Sequence, residues 1–213
     1  MDTNSCGYIL IRAQNAVTMK LPATPPYTCE VCLLAGGLST RMGRDKSRLR
    51  LGQRTMLGQV RATAKQLNLP VRIIRRDRKP LSGPLGGIDT ALKTSRVEVV
   101  LFLACDMPFV STKLLRRVLE NFKPSQHALF VRESGRVGFP CLFRRTALPV
   151  VEEQLAQAEF SLQTLARILK ARTIRLPRAM SPELFNVNTP ADWEKAVKRG
   201  LSKRRQRSRV EAC

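Results

Sequence analysis

The chain contains one histidine, His127. A single imidazole leaves no Ser-His-Asp set in evidence, and it leaves the six cysteines without a histidine partner at zinc spacing. Cys29 and Cys32 form C-x-x-C, but no second pair follows and Cys32 falls inside an expected strand. Both read as small buried residues of a cytoplasmic protein rather than a redox or metal pair. Long apolar runs are also missing. Nothing approaches the roughly 20 residues needed to cross a bilayer, so no membrane role is expected. Tyr8–Ile11 is apolar, but Arg12 and Gln14 break it, and no basic segment precedes it as a secretory signal requires. Acidic residues are few: 16 Asp and Glu against 38 Lys and Arg, a formal net charge of +22. That excess attracts anionic substrates over long range. A generally basic proteome would produce the same excess, so charge alone does not establish RNA binding.

What is present begins with an apolar run, Cys29 to Ala35, that ends in Gly36-Gly37. Its length and composition predict a strand covered on both faces. Paired glycines permit close backbone approach, and successive N–H groups in such a turn form an anion-binding nest. Arg41 and Lys46 add full positive charges. The stretch therefore reads as a phosphate-binding turn. It is neither a Walker A loop nor a G-x-G-x-x-G fingerprint, because both patterns are absent.

The chain is long enough for one α/β domain with a real core. Residues 1–28 are expected to be a flexible extension, with Pro22, Pro25 and Pro26 before the first strand. Met1 and Met19 both remain open as the start. The domain is expected over 29–199, followed by a basic tail at 200–213 of a composition that is usually disordered and can touch nucleic acid nonspecifically. Met56, Leu57, Val60, Ala64 and Leu67 share a helical face. V-R-I-I reads as a short strand, and G-P-L-G-G as a turn leading into a helix. V-E-V-V-L-F-L-A-C-D is the strongest strand signal and is expected at the centre. Thr112–Phe122, Leu148–Gln157 and Leu162–Leu169 read as helices, the last capped by Ser161. Strands are expected at Ala128–Val131, Val137–Phe143 and, at the outside, Arg172–Leu176. Thr189, Pro190 and Asp192 suit the start of a final helix that buries Trp193 and Val197. Repeated β-α units predict an α/β fold with a three-layer, mainly parallel sheet and its site at the carboxyl ends of the strands.

Asp106 ends the strongest strand. A hard carboxylate there suits Mg²⁺, which takes its other ligands from substrate phosphates and water. The competing reading, a helix cap, is weaker because Ser111 and Thr112 supply better caps. Asp77 follows V-R-I-I and could accept hydrogen bonds from a base or sugar, or pair with Arg75, Arg76, Arg78 or Lys79 at the surface. Asn186 and Asn188 flank Val187 and on a strand would share one face, suiting a polar heterocycle; turn formation is the alternative. No nucleophile is evident. Phosphoryl and nucleotidyl transfer needs little covalent help, since positioning, Mg²⁺ and cations supply most of it.

These motifs together carry a family resemblance. L-A-G-G-L-S-T-R-M-G-R-D-K at Leu34–Lys46 resembles the signature of nucleotidyltransferases with a Rossmann-like fold. G-P-L-G-G-I, C-D-M-P-F and N-V-N-T-P, in this order, narrow the resemblance to the MobA-type molybdenum cofactor guanylyltransferases over about residues 30–197. The resemblance implies transfer of GMP from GTP to molybdenum-molybdopterin, with pyrophosphate released and the guanine dinucleotide cofactor formed. It implies that Leu34, Ala35, Gly36 and Gly37 contact GTP through backbone and that Lys46 holds phosphate. It places Asp77 on GTP, Asp106 on Mg²⁺ and Asn186 and Asn188 near the molybdopterin. Handover to molybdoenzymes or their chaperones is expected of such a product. Two departures stand out: V-R-I-I-R-R-D lacks an Asn that many relatives carry before the glycine turn, and G-R-V-G-F-P lacks their His before Pro140. Use of CTP or a sugar phosphate remains open, as does a nucleotide- or nucleic-acid-binding protein without turnover.

Overall fold

The computed structural model describes residues 27–36 and 48–210, the last nine as backbone. Strands fall at β1 (Cys29–Leu34), β2 (Arg50–Leu51), β3 (Arg54–Thr55), β4 (Val71–Ile74), β5 (Val99–Ala104), β6 (Ala128–Glu133), β7 (Arg136–Arg144) and β8 (Arg172–Arg175). Helices are α1 (Met56–Lys65), α2 (Gly83–Thr94), α3 (Thr112–Glu120), α4 (Leu148–Ala156), α5 (Leu162–Ile168) and α6 (Pro190–Val210). Six strands join one sheet in the order β4-β1-β5-β7-β6-β8, while β2 and β3 form a small hairpin.

Alternation along the strands builds two cores. Val31, Leu33, Leu101 and Leu103 face α1 and α3, meeting Leu57, Val60, Leu114 and Val118. Cys32, Leu34, Val100 and Phe102 face the other way, toward Leu85, Ile88, Val151 and Leu165 of α2, α4 and α5. The central strands are thus buried on both sides, giving a three-layer α/β/α arrangement. Each such aliphatic side chain contributes about 1.5–3 kcal/mol on leaving water. Phe143 anchors the second core with edge-to-face contacts to Phe102 at 5.7 Å and Phe130 at 5.3 Å.

The sheet is mainly parallel, but β7 runs antiparallel to both β5 and β6. The tight turn around Gly135, φ +80°, returns the chain beside β6 and forces that reversal. A second departure concerns G-P-L-G-G. It is the first turn of α2 itself, not a turn before it. Pro84 sits where the helix has no use for its missing N–H, and only Gly83 takes a left-handed φ, +55°. A third concerns the C-terminus. Helix α6 continues to Val210, across the boundary expected at residue 200, because Lys, Arg and Gln are good helix formers. Among the described side chains of α6, Ala196 is completely buried; Trp193 and Val197 are half-buried.

The start of α6 is closed reciprocally. Thr189 Oγ1 accepts from the Asp192 amide at 3.1 Å, and Asp192 Oδ2 accepts from the Thr189 amide at 3.0 Å and the Asn188 amide at 3.2 Å. The Thr189 hydroxyl also donates to Asp192 Oδ2 at 2.8 Å, and this bond, ahead of the two backbone amides, holds the Asp192 carboxyl below the usual range. Thr189→Ala should cost about 1 kcal/mol, read as a drop in urea midpoint at unchanged m-value. An unchanged midpoint would show that the cap is idle.

Candidate active site

The carboxyl ends of β4, β1 and β5 lie side by side and carry the candidate residues. The ladder extends past the strand ends: the Ala35 amide donates to the Ile74 carbonyl at 2.8 Å and the Cys105 amide to the Leu34 carbonyl at 3.1 Å. Those backbone groups of Leu34 and Ala35 are committed to the sheet. They fix the height at which Gly36, Asp77 and Asp106 stand on the same edge.

Asp77 is enclosed by glycines from two elements. A Cβ built on Gly36 would lie 2.9 Å from the Arg75 carbonyl oxygen and 3.3 Å from Asp77 Oδ1. One on Gly86 would lie 2.8 Å from the Lys79 carbonyl oxygen and 3.2 Å from Asp77 Oδ2, and one on Gly87 3.4 Å from Asp77 Oδ1. No side chain larger than hydrogen fits around the carboxylate without something moving. The loop is fastened to α2 where the Arg78 amide donates to Thr90 Oγ1 at 2.9 Å. Desolvation pushes the Asp77 carboxyl up. Among the described residues no ion pair reaches it, so the surface-pair reading fails, although Arg75, Arg76, Arg78 and Lys79 are exposed around it. A half-buried carboxylate with a cationic rim suits a ligand that offers N–H donors at one end and phosphate at the other.

Asp106 is half-buried just beyond β5. It does not cap α3, because Ser111 Oγ accepts from the Leu114 amide at 3.1 Å and fills that role. The Asp106 carbonyl instead accepts from the Val187 amide at 2.9 Å. That bond draws N-V-N-T-P onto the Asp106 loop. Val187 is buried, and Asn186 and Asn188 on either side are exposed, as alternation requires. Asn186 Nδ2 also donates to the Leu184 carbonyl at 3.0 Å, so it has a turn-forming part as well. No group of three His, Cys, Asp or Glu could hold a metal among the described residues. One hard carboxylate fits Mg²⁺ and not a closed protein cage, since this ion keeps waters and substrate phosphates as ligands.

Gly37, Arg41 and Lys46 lie outside the described residues. The thiols of Cys29 and Cys32 are pushed up to about 12, chiefly by burial, and are protonated at neutral pH. They are core residues, as their spacing within a strand implies. Sequence reading missed one group beside the site. Phe109 packs against Phe185 with ring centroids 6.1 Å apart, and the Arg199 guanidinium lies 4.2 Å from the centre of the Phe109 ring. Nothing periodic links these positions; only the phenylalanine of C-D-M-P-F hinted at a partner.

The sequence matches the family described as MobA-like NTP transferase domain over residues 31–79 and 63–176. A protein of Carboxydothermus hydrogenoformans named "Probable molybdenum cofactor guanylyltransferase" is 33% identical over 79% of this chain and 94% of its own length. The molybdenum cofactor guanylyltransferase of Xanthomonas euvesicatoria is 29% identical over 78% of this chain and 92% of its own. Among solved structures, molybdopterin-guanine dinucleotide biosynthesis protein A from Archaeoglobus fulgidus superposes with TM-score 0.66 over 79% of this chain and 97% of that one. At 21% identity it speaks for the fold alone. With a family match running through the strand, the Asp77 loop and the Asp106 edge, the chain belongs to the MobA-like NTP transferases.

Proposed function

We infer that this protein transfers GMP from GTP to molybdenum-molybdopterin in the cytoplasm, forming the guanine dinucleotide and pyrophosphate. The observation that carries the reading is the meeting of Asp77, Asp106 and Asn186–Asn188 on one sheet edge, in a chain of this family. A terminal phosphate oxygen of the acceptor attacks the α-phosphorus of GTP, and pyrophosphate leaves. Asp77, held among glycines, accepts from the N–H groups of guanine. Gly36 lets the nucleotide approach the backbone. Arg41 and Lys46 stabilise the departing pyrophosphate by charge. Asn186 and Asn188 orient the acceptor beside Asp106. Asp106 would hold Mg²⁺, which when bound neutralises charge on the phosphate oxygens.

Pyrophosphate release with molybdopterin and Mg²⁺, using GTP, CTP, ATP and UTP in separate reactions, tests this. Release with GTP alone supports it. Selective release with CTP keeps the chemistry and overturns the base. No release from folded protein rejects the activity.

A further inference from the structure

The carboxylates do not stand alone. Behind them a ring of contacts joins the loop after β5 to the segment before α6. The Ser111 amide donates to Glu183 Oε2 at 2.9 Å. The Val187 amide reaches the Asp106 carbonyl, and Phe185 packs on Phe109. Arg199 engages both partners at once. Its guanidinium covers the Phe109 ring, and Nη1 donates to the Pro182 carbonyl. Met56, Phe109, Val187 and Ala196 form the small core beneath, bordered by Leu49, Leu51, Phe185 and Trp193.

We propose that Arg199 is a positioning residue, clamping the 106–111 loop to the 182–188 segment and so fixing Asn186 and Asn188 relative to Asp106 for the acceptor. This rests on the activity inferred above. A planar guanidinium can stack on a ring and donate in its own plane at the same time; an ammonium cannot do both. The nucleotide side is held separately, by Gly36, Asp77 and α2. Loss of Arg199 therefore acts on the acceptor and spares GTP.

The test separates those two sides. Arg199→Met keeps the apolar stem and removes the clamp. It should raise the KM for molybdenum-molybdopterin about tenfold while the equilibrium Kd for GTP, measured without acceptor, stays within about twofold. Arg199→Lys should recover only part of the loss. An acceptor KM within about twofold of wild type, or an equal rise in the Kd for GTP, overturns the proposal. If Arg199→Met does not fold, Phe109→Leu removes the ring face and keeps the apolar volume. The same selective rise is expected of it, and its absence overturns the proposal equally. Wild-type turnover run in parallel distinguishes the readings. No wild-type turnover overturns the proposed activity and this role with it; normal wild-type turnover with an unchanged Arg199→Met variant overturns the role alone.

Discussion

Asp106→Ala is expected to lower pyrophosphate release by about 10³-fold, equivalent to ~4 kcal/mol of transition-state stabilisation. The residue stands at the carboxyl end of the central strand, and its own backbone is tied to N-V-N-T-P. On the mechanism proposed above, removing the carboxylate takes away charge beside the reacting phosphates, while the strand behind it stays packed. Turnover should therefore fall much further than binding of GTP. Asp106→Asn isolates the charge from the volume and should lose nearly as much. Turnover of either folded variant within about tenfold of wild type would remove Asp106 from the mechanism.

Gly86→Ala should behave against helix propensity. Alanine is favoured over glycine inside a helix by about 1 kcal/mol, so on local grounds the change stabilises α2. Its methyl would sit 2.8 Å from the Lys79 carbonyl oxygen and 3.2 Å from Asp77 Oδ2. Backbone cannot yield cheaply there, so the Asp77 loop must shift. Affinity for GTP should drop by about 1.5–3 kcal/mol, the range for hydrogen bonds to a charged group. Calorimetric titration with GTP reads this, and an unchanged affinity would break the link between the glycines and the nucleotide. The same carboxylate has a pH signature. Its folded-state value is raised by desolvation, so the protonated form is the one the fold prefers. Stability then falls as pH rises from the ordinary aspartate range through the raised value, while GTP affinity is gained over that interval. On the proposed role of Asp77, the fold gives up stability at this position for recognition.

Local chemistry was the legible part. The apolar run before Asp106 announced the central strand, and Ser161 and the Thr189-Pro190 pair announced helix starts, because caps and buried strands are written in adjacent residues. The direction of β7 has no such signature, since strand composition is the same whichever way the chain runs. The helical state of G-P-L-G-G was hidden because glycine suggests a turn; its real constraint is the space Asp77 occupies. Asp77 and Asp106 were identifiable as carboxylates after strands. The enclosure of Asp77 by Gly36 and α2, and the backing of Arg199 on Phe109, arise from segments far apart in sequence and appear only when the chain is folded.

The two sides of the candidate site differ in how they are held down. The side that carries Gly36 and Asp77 grows from strands buried between the two large cores, whereas the side that carries Asn186 and Asn188 rests, among the described residues, on a patch of four buried ones, Met56, Phe109, Val187 and Ala196. Few buried contacts mean a low free energy of local opening. Amides of α6 and of 185–189 should therefore exchange with deuterium well ahead of those in β5; equal rates would deny the difference. A dinucleotide product is bulkier than either substrate, and it must leave without being hydrolysed or lost. In the proposed reaction, a lightly backed acceptor side beside a firmly packed nucleotide side would let the product leave while the Asp77 edge keeps its shape.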